Sequence, residues 1–156
     1  MFSVGDLVCY PMHGVGVIEA IEEQQVLGET ARYYVLRFVV GRMTAMVPVA
    51  SAETVGLRAL SDPSVCERVL GYLAEDTPTE ESENWNRRYR DNLDKLRGGD
   101  IFSVADVVKC LARRDREKGL SAGERKMLAT ARQVLLAEIS TVCGREETEL
   151  MPLLGG

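Results

Sequence analysis

The sequence predicts an α+β protein: a small antiparallel β-barrel over residues 1–60, followed by a compact all-α bundle over residues 61–156. Three observations carry this. Short β-branched runs separated by glycine turns fill the first part. Apolar residues recur at helical spacing in the second. The charge is distributed unevenly between the two parts.

In the first part, Asp6-Leu-Val-Cys-Tyr10 reads as a strand running into Pro11 and Gly14. Val15 to Ile21 is a second strand, and Val26 to Thr30 holds a turn glycine. Arg32 to Val39 is the strongest strand, and Gly41-Arg42 makes the next turn. Met43 to Val47 is a fourth, closed by Pro48, which has no N–H for a ladder. A fifth is expected at Thr54 to Leu57. Strands this short and this close together suit a small barrel that binds a macromolecule.

The helical part opens at Asp62-Pro63, an N-cap followed by proline at the first helical position. Val65, Val69, Leu70 and Leu73 mark its buried face. Residues 75–83 form an acidic linker containing Pro78. A second helix carries Trp85, Tyr89, Leu93 and Leu96 on one side and stops at Gly98-Gly99. Ile101, Val104, Ala105, Val108, Leu111 and Ala112 give a third, ending in a basic run from Arg113 to Lys118. Ser121 and Glu124 match a capping box, opening a fourth with Leu128, Ala131, Leu135 and Ile139 as its stripe. Glu146 to Leu154 can add a short fifth helix.

With 156 residues the chain makes one domain or two small ones. No apolar run approaches the roughly 18 residues of a membrane span, and no signal peptide is evident at the N-terminus. A cytoplasmic protein with no membrane partner is expected. Cys9, Cys66, Cys110 and Cys143 are too widely spaced for a zinc site or a compact disulfide framework, and His13 is the only histidine. Buried free thiols are the expectation, with no metal, cofactor or small-molecule ligand. Gly14-Val-Gly-Val lacks the third glycine of a phosphate loop, and nothing resembles a nucleophile elbow, so no enzyme is read here.

The net charge of −5 disfavours nucleic acid only as an average. Residues 61–82 hold 1 basic and 6 acidic side chains, whereas residues 83–142 hold 13 and 9. The basic side chains therefore gather in the helical part, around the only tryptophan. Arg87, Arg88 and Arg90 follow Trp85 and flare to both sides of its stripe; Arg113, Arg114 and Arg116, then Arg125 and Lys126, form two further clusters. Trp85 reads either as the first core residue of its helix or as an aromatic projecting from the end of the bundle. Cations around a projecting indole could hold phosphates while the ring meets bases, unstacking a step at a cost of a few kcal/mol.

Several motifs resemble the CarD/CdnL family of bacterial transcription regulators. They are Val4-Gly5-Asp6, Tyr10-Pro11, Gly14, Tyr34-Val35-Leu36, Val47-Pro48 and Val55-Gly56-Leu57-Arg58. The most specific are Asn84-Trp85-x-Arg87-Arg88-Tyr89 and Gly119-Leu-Ser-x-Gly-Glu124 with Met127-Leu128. The resemblance covers nearly the whole chain. It implies a Tudor-like RNA-polymerase-interacting domain over 1–60 that docks on the polymerase β subunit, and a helical DNA-binding domain over 61–156. Trp85 would wedge into the minor groove at the upstream edge of the transcription bubble and stabilise the open complex. Arg87, Arg88 and Arg90 would hold the backbone, with Arg113, Arg114, Arg125 and Lys126 as further DNA contacts. Val35, Met46 and Pro48 would meet polymerase; some members carry arginine at the position of Met46, others an apolar residue. The resemblance is to the short, stand-alone form. The alternative is a protein–protein adaptor without direct DNA contact.

Overall fold

The structure is a computed structural model, which describes residues 1–75 and 81–154. Five strands, β1 (Leu7–Tyr10), β2 (Gly14–Val26), β3 (Glu29–Phe38), β4 (Thr44–Pro48) and β5 (Arg58–Ala59), form one sheet in the order β4-β3-β2-β1-β5. All pairings are antiparallel. The expected barrel is corrected to an open sheet, because β4 and β5 lie at its two edges and pair with β3 and β1 only among the described residues.

The hairpin of β2 and β3 is longer than the sequence pattern suggests. Its outer half, from Glu22 to Arg32, is largely polar and almost wholly exposed, so no buried face signals its pairing. Leu27 and Gly28 close it with φ of 53° and 82°, the positive pair that a tight two-residue hairpin turn demands. The fifth strand is also corrected. Residues 52–56 form a turn in which Gly56 has φ 87°, and the strand begins only at Arg58. Inside the sheet, Val8, Ile18, Tyr34, Leu36, Phe38 and Val47 form a core with Ala52 and Leu57 beneath it. On β3 the buried residues fall at every second position, as strand geometry requires.

Four helices, α1 (Pro63–Ala74), α2 (Trp85–Gly98), α3 (Ile101–Glu117) and α4 (Ala122–Cys143), are followed by the single turn α5 (Glu147–Leu150) and a 3₁₀ turn over Met151–Leu154. Each start is locally encoded. The side chains of Asp62, Asn84, Asp100 and Ser121 accept N–H bonds of the first turns of α1 to α4. Leu96, Val104, Ala105, Val108, Leu111, Leu128, Ala131, Leu135 and Ile139 sit in the helical core, as their spacing predicts. The Pro78 part of the acidic linker lies outside the described residues. Cys9, Cys66 and Cys110 are buried and outside any disulfide, and Cys143 is half-buried. Among the described residues, no helix is long and apolar enough to cross a membrane, and no cluster of side chains is suited to a metal ion.

Candidate nucleic-acid interface

The start of α2, the end of α3 and the start of α4 come together at one end of the bundle. Trp85 is the first residue of α2, capped by the Asn84 side chain, which accepts from the Arg87 N–H at 3.0 Å. One face of its indole stacks on the Tyr89 ring one turn later, with centroids 5.0 Å apart and planes 17° from parallel. The indole N–H donates to Ser121 Oγ at 3.2 Å and Glu124 Oε1 at 3.1 Å, both at the start of α4. The residue is nevertheless 42% exposed. Trp85 is therefore neither a core residue nor a loose flag; its polar edge is tethered, one face is backed, and the rest meets solvent.

Ser121 thus has two functions, as the cap of α4 and as an acceptor for the indole. Ser121→Ala is expected to cost about 1 kcal/mol, as for other N-cap losses, lowering Tm by about 2–4 °C for a chain this size. The lone tryptophan reports the second loss, as a fall in fluorescence anisotropy at temperatures where the helices remain intact. Unchanged Tm and anisotropy would contradict both roles.

Arg88 corrects the sequence reading. It is 3% exposed and does not project toward a ligand. Its Nε donates to Glu124 Oε2 at 3.0 Å and its Nη1 to the Ser82 carbonyl at 3.3 Å. Glu124 is 2% exposed; it accepts from Arg88, from Trp85 and from the Ser121 hydroxyl. Burial alone would raise its carboxyl, but the Arg88 guanidinium and the Ser121 donors outweigh this and hold it below its ordinary value. Arg88 is thus a strut between α2 and α4, and it fixes the acceptor on which the indole rests.

The other cations divide by position. At about 100° per residue, Arg87 and Arg90 fall roughly 200° and 140° around α2 from Trp85. They share one exposed face turned away from the Trp85–Tyr89–Leu93 stripe, instead of flanking it. Arg125 and Lys126 are exposed on the second turn of α4, directly after Glu124, and the Arg125 Nη2 donates to the Leu120 carbonyl at 3.1 Å. Lys126 also lines a groove of about 250 Å³ with Tyr89, Leu93, Gly123, Met127 and Met12, the last from the β1–β2 turn. On the last turns of α3, Arg113 pairs with Glu117 at 3.3 Å and Arg114 with Glu81 at 3.0 Å, while Arg116 is exposed. Tyr89, Ser121 and Glu124 also belong to this end, although their sequence pattern marks them only as stripe and capping-box residues.

In the sheet, β4 is an edge strand that pairs only with β3 among the described residues. Met46 is 44% exposed on it, facing away from the buried Val47. Its ladder partner Val35 and the strand-ending Pro48 are half-buried. Val39, Val40 and Met43, in and beside the β3–β4 turn, add exposed apolar surface.

Two family models match the chain. "CarD-like/TRCF RID domain" covers residues 2–61, and "CarD, C-terminal domain" covers residues 68–155. The chain belongs to the CarD family. A Bacillus subtilis (strain 168) protein under the name "Putative transcription factor YdeB" is 36% identical over 150 residues, spanning 96% of this chain and 97% of that one. The solved structure "CdnLNt from Myxoccoccus xanthus" is 39% identical, covers 38% of this chain and 83% of that one, and has a TM-score of 0.33.

The CarD family is a transcription-factor type and not an enzyme class, and its RID domain is of the kind that interacts with RNA polymerase. Its motifs serve several structural ends in this chain. Glu124 of the Gly119–Glu124 motif anchors the indole and Arg88. Tyr10-Pro11 and Val55-Gly56-Leu57-Arg58 lie where the sheet meets the helices. There the Pro11 ring sits so close to Gly56 and Gly99 that a Cβ on either would come within 2.7 Å of it.

Proposed function

We propose that this CarD-family protein bridges the RNA polymerase β subunit and promoter DNA, and that it lengthens the life of the open complex by inserting Trp85 into the minor groove at the upstream edge of the bubble. The observation that carries this reading is the exposed indole whose N–H and one face are already fixed by Ser121, Glu124 and Tyr89. An aromatic held in place before binding loses little freedom on insertion. The partial unstacking it causes costs a few kcal/mol, offset by phosphate contacts that release counterions.

Arg87, Arg90, Arg116, Arg125 and Lys126 are exposed cations available for those contacts. Arg113 and Arg114 belong to the same end of the bundle but reach phosphate only by exchanging Glu117 and Glu81 for it. A phosphate contact carries little sequence information. Arg87→Ala is therefore expected to weaken binding to forked DNA evenly across sequences and to reduce the slope of log K against log salt by about 1. A variant with an unaltered slope places Arg87 off the backbone. An adaptor that never touches DNA predicts no effect even from charge reversal at Arg87 and Arg90.

The polymerase contact is assigned to the β4 edge. Its main-chain groups are free to add a strand, and Met46 with Val35 and Pro48 supplies apolar surface beside them. Met46→Glu puts a charge on that surface without touching the sheet core. It is expected to weaken polymerase binding at least tenfold while Tm stays within about 2 °C, since exposed substitutions rarely move stability by more than ~0.5 kcal/mol. Full retention of binding by this variant would move the docking surface elsewhere. The whole reading is tested by the lifetime of open complexes formed by purified polymerase, with and without the protein, across salt concentrations. No change in lifetime at any salt concentration sinks it.

A further inference from the structure

The residue that joins the two halves is placed to do more than hold them together. Arg58 lies on the edge strand β5, paired with Cys9 of β1. Its Nη1 and Nη2 donate to the two carboxylate oxygens of Glu138 on α4, at 2.7 and 2.8 Å. Its Nε donates to the carbonyl of Gly99, the residue that caps the C-terminus of α2, at 2.9 Å. One guanidinium therefore grips both helices whose other ends hold the indole.

The surroundings are built around this contact. Glu138 is 1% exposed and also accepts from the Ser61 N–H at 2.9 Å, at the junction between sheet and bundle. Cys9 approaches its Oε1 at 3.9 Å. Burial and the Glu138 carboxylate push the Cys9 thiol up to about 12, so it stays protonated and adds no competing charge. Pro11 fills the adjacent gap between Gly56 and Gly99, and a Cβ at Gly14 would touch the α4 backbone at Val134. A planar fork meeting a carboxylate through two parallel bonds fixes an angle as well as a distance.

We infer that Arg58 is a positioning residue: it locks the polymerase-docking sheet to the helices that carry Trp85, so that docking at β4 sets where and at what angle the indole meets DNA. This rests on the bridging reading above. When the joint is rigid, polymerase binding delivers the indole to the fork at high effective concentration. When it is loose, the same two binding surfaces remain, but the second engagement is diluted over many orientations.

The test uses the full chain carrying Arg58→Ala together with Glu138→Ala. Removing both partners leaves no unpaired buried charge, and each half retains its own core. Arg58→Lys is the graded variant, since one ammonium cannot reproduce the fork and the Gly99 contact together. The first measurement is residual dipolar coupling of the free protein. One alignment tensor should fit both halves of the native chain and fail for the double variant. The second is function: affinity for polymerase alone and for forked DNA alone should stay within about twofold, while the gain in open-complex lifetime falls tenfold or more, with Arg58→Lys in between.

A single tensor in the double variant overturns the inference whatever the transcription assay gives. It is also overturned if the lifetime loss vanishes when each protein is assayed equally far below its own Tm, which would make Arg58 merely stabilising. If the native chain itself leaves open-complex lifetime unchanged, the bridging reading fails, and the tensor measurement still decides whether Arg58 sets the relative orientation of the halves.

Discussion

Trp85→Ala is expected to fold, to bind polymerase as before, and to lose most of the open-complex stabilisation. The structural cost is small because the ring is 42% exposed. What is lost is a stack on Tyr89, worth about 0.5–1.5 kcal/mol, and a bifurcated N–H bond whose acceptor Glu124 retains Arg88. A Tm drop of about 2–6 °C follows. The functional cost is larger. Base–aromatic stacking contributes about 1–3 kcal/mol, so the open complex should decay roughly 5–150 times faster at saturating protein. Trp85→Phe retains a ring but has no N–H to tether, and it should fall between the two. A Trp85→Ala protein that unfolds would return the residue to the core. One that folds and still stabilises the open complex would remove the wedge from the mechanism.

What the sequence made legible was mostly local. Asp62-Pro63, Gly98-Gly99 and the Ser121/Glu124 box each mark a helix end by chemistry within four residues, and each is where the chain turns. Pro48 ends β4 for the same kind of reason. The misses were non-local. Whether β4 and β5 meet to close a barrel depends on how far the whole five-stranded sheet between them curls, which alternation along one strand does not encode. The fifth strand was displaced because Gly56 and its neighbours look like the end of a strand when they are the turn before one. Counting cations showed that they gather in the helical part but not which way each one points. Arg87 and Arg88 are adjacent and chemically identical, yet one faces solvent and the other is sealed against Glu124. Glu138 gave no signal either: an acid next to the apolar stripe of α4 reads as the edge of a solvated face until Arg58, 80 residues away, is seen to reach it.

Arg88 and Arg87 should therefore behave as opposites. Arg88→Ala leaves the Glu124 carboxylate buried without its guanidinium. Breaking a buried pair from one side costs about 3–5 kcal/mol, a Tm drop of roughly 6–20 °C for this length, whereas Arg87→Ala should move Tm by under about 2 °C. The two differ in pH dependence as well. In the native chain the folded-state carboxyl of Glu124 lies below its ordinary value, so its contribution to stability is complete above about pH 4.5 and is lost as pH falls through the folded value. In Arg88→Ala the burial that Arg88 had outweighed becomes the dominant influence, and the folded-state carboxyl moves above its ordinary value. The sign then reverses: stability is greatest with Glu124 protonated and declines as pH rises. The Tm deficit of Arg88→Ala relative to the native chain should thus be smaller at pH 5 than at pH 7.5. A variant with native Tm at both pH values and weakened DNA binding would show that Arg88 leaves Glu124 to hold phosphate after all, and the tether of the indole would then rest on Ser121 alone.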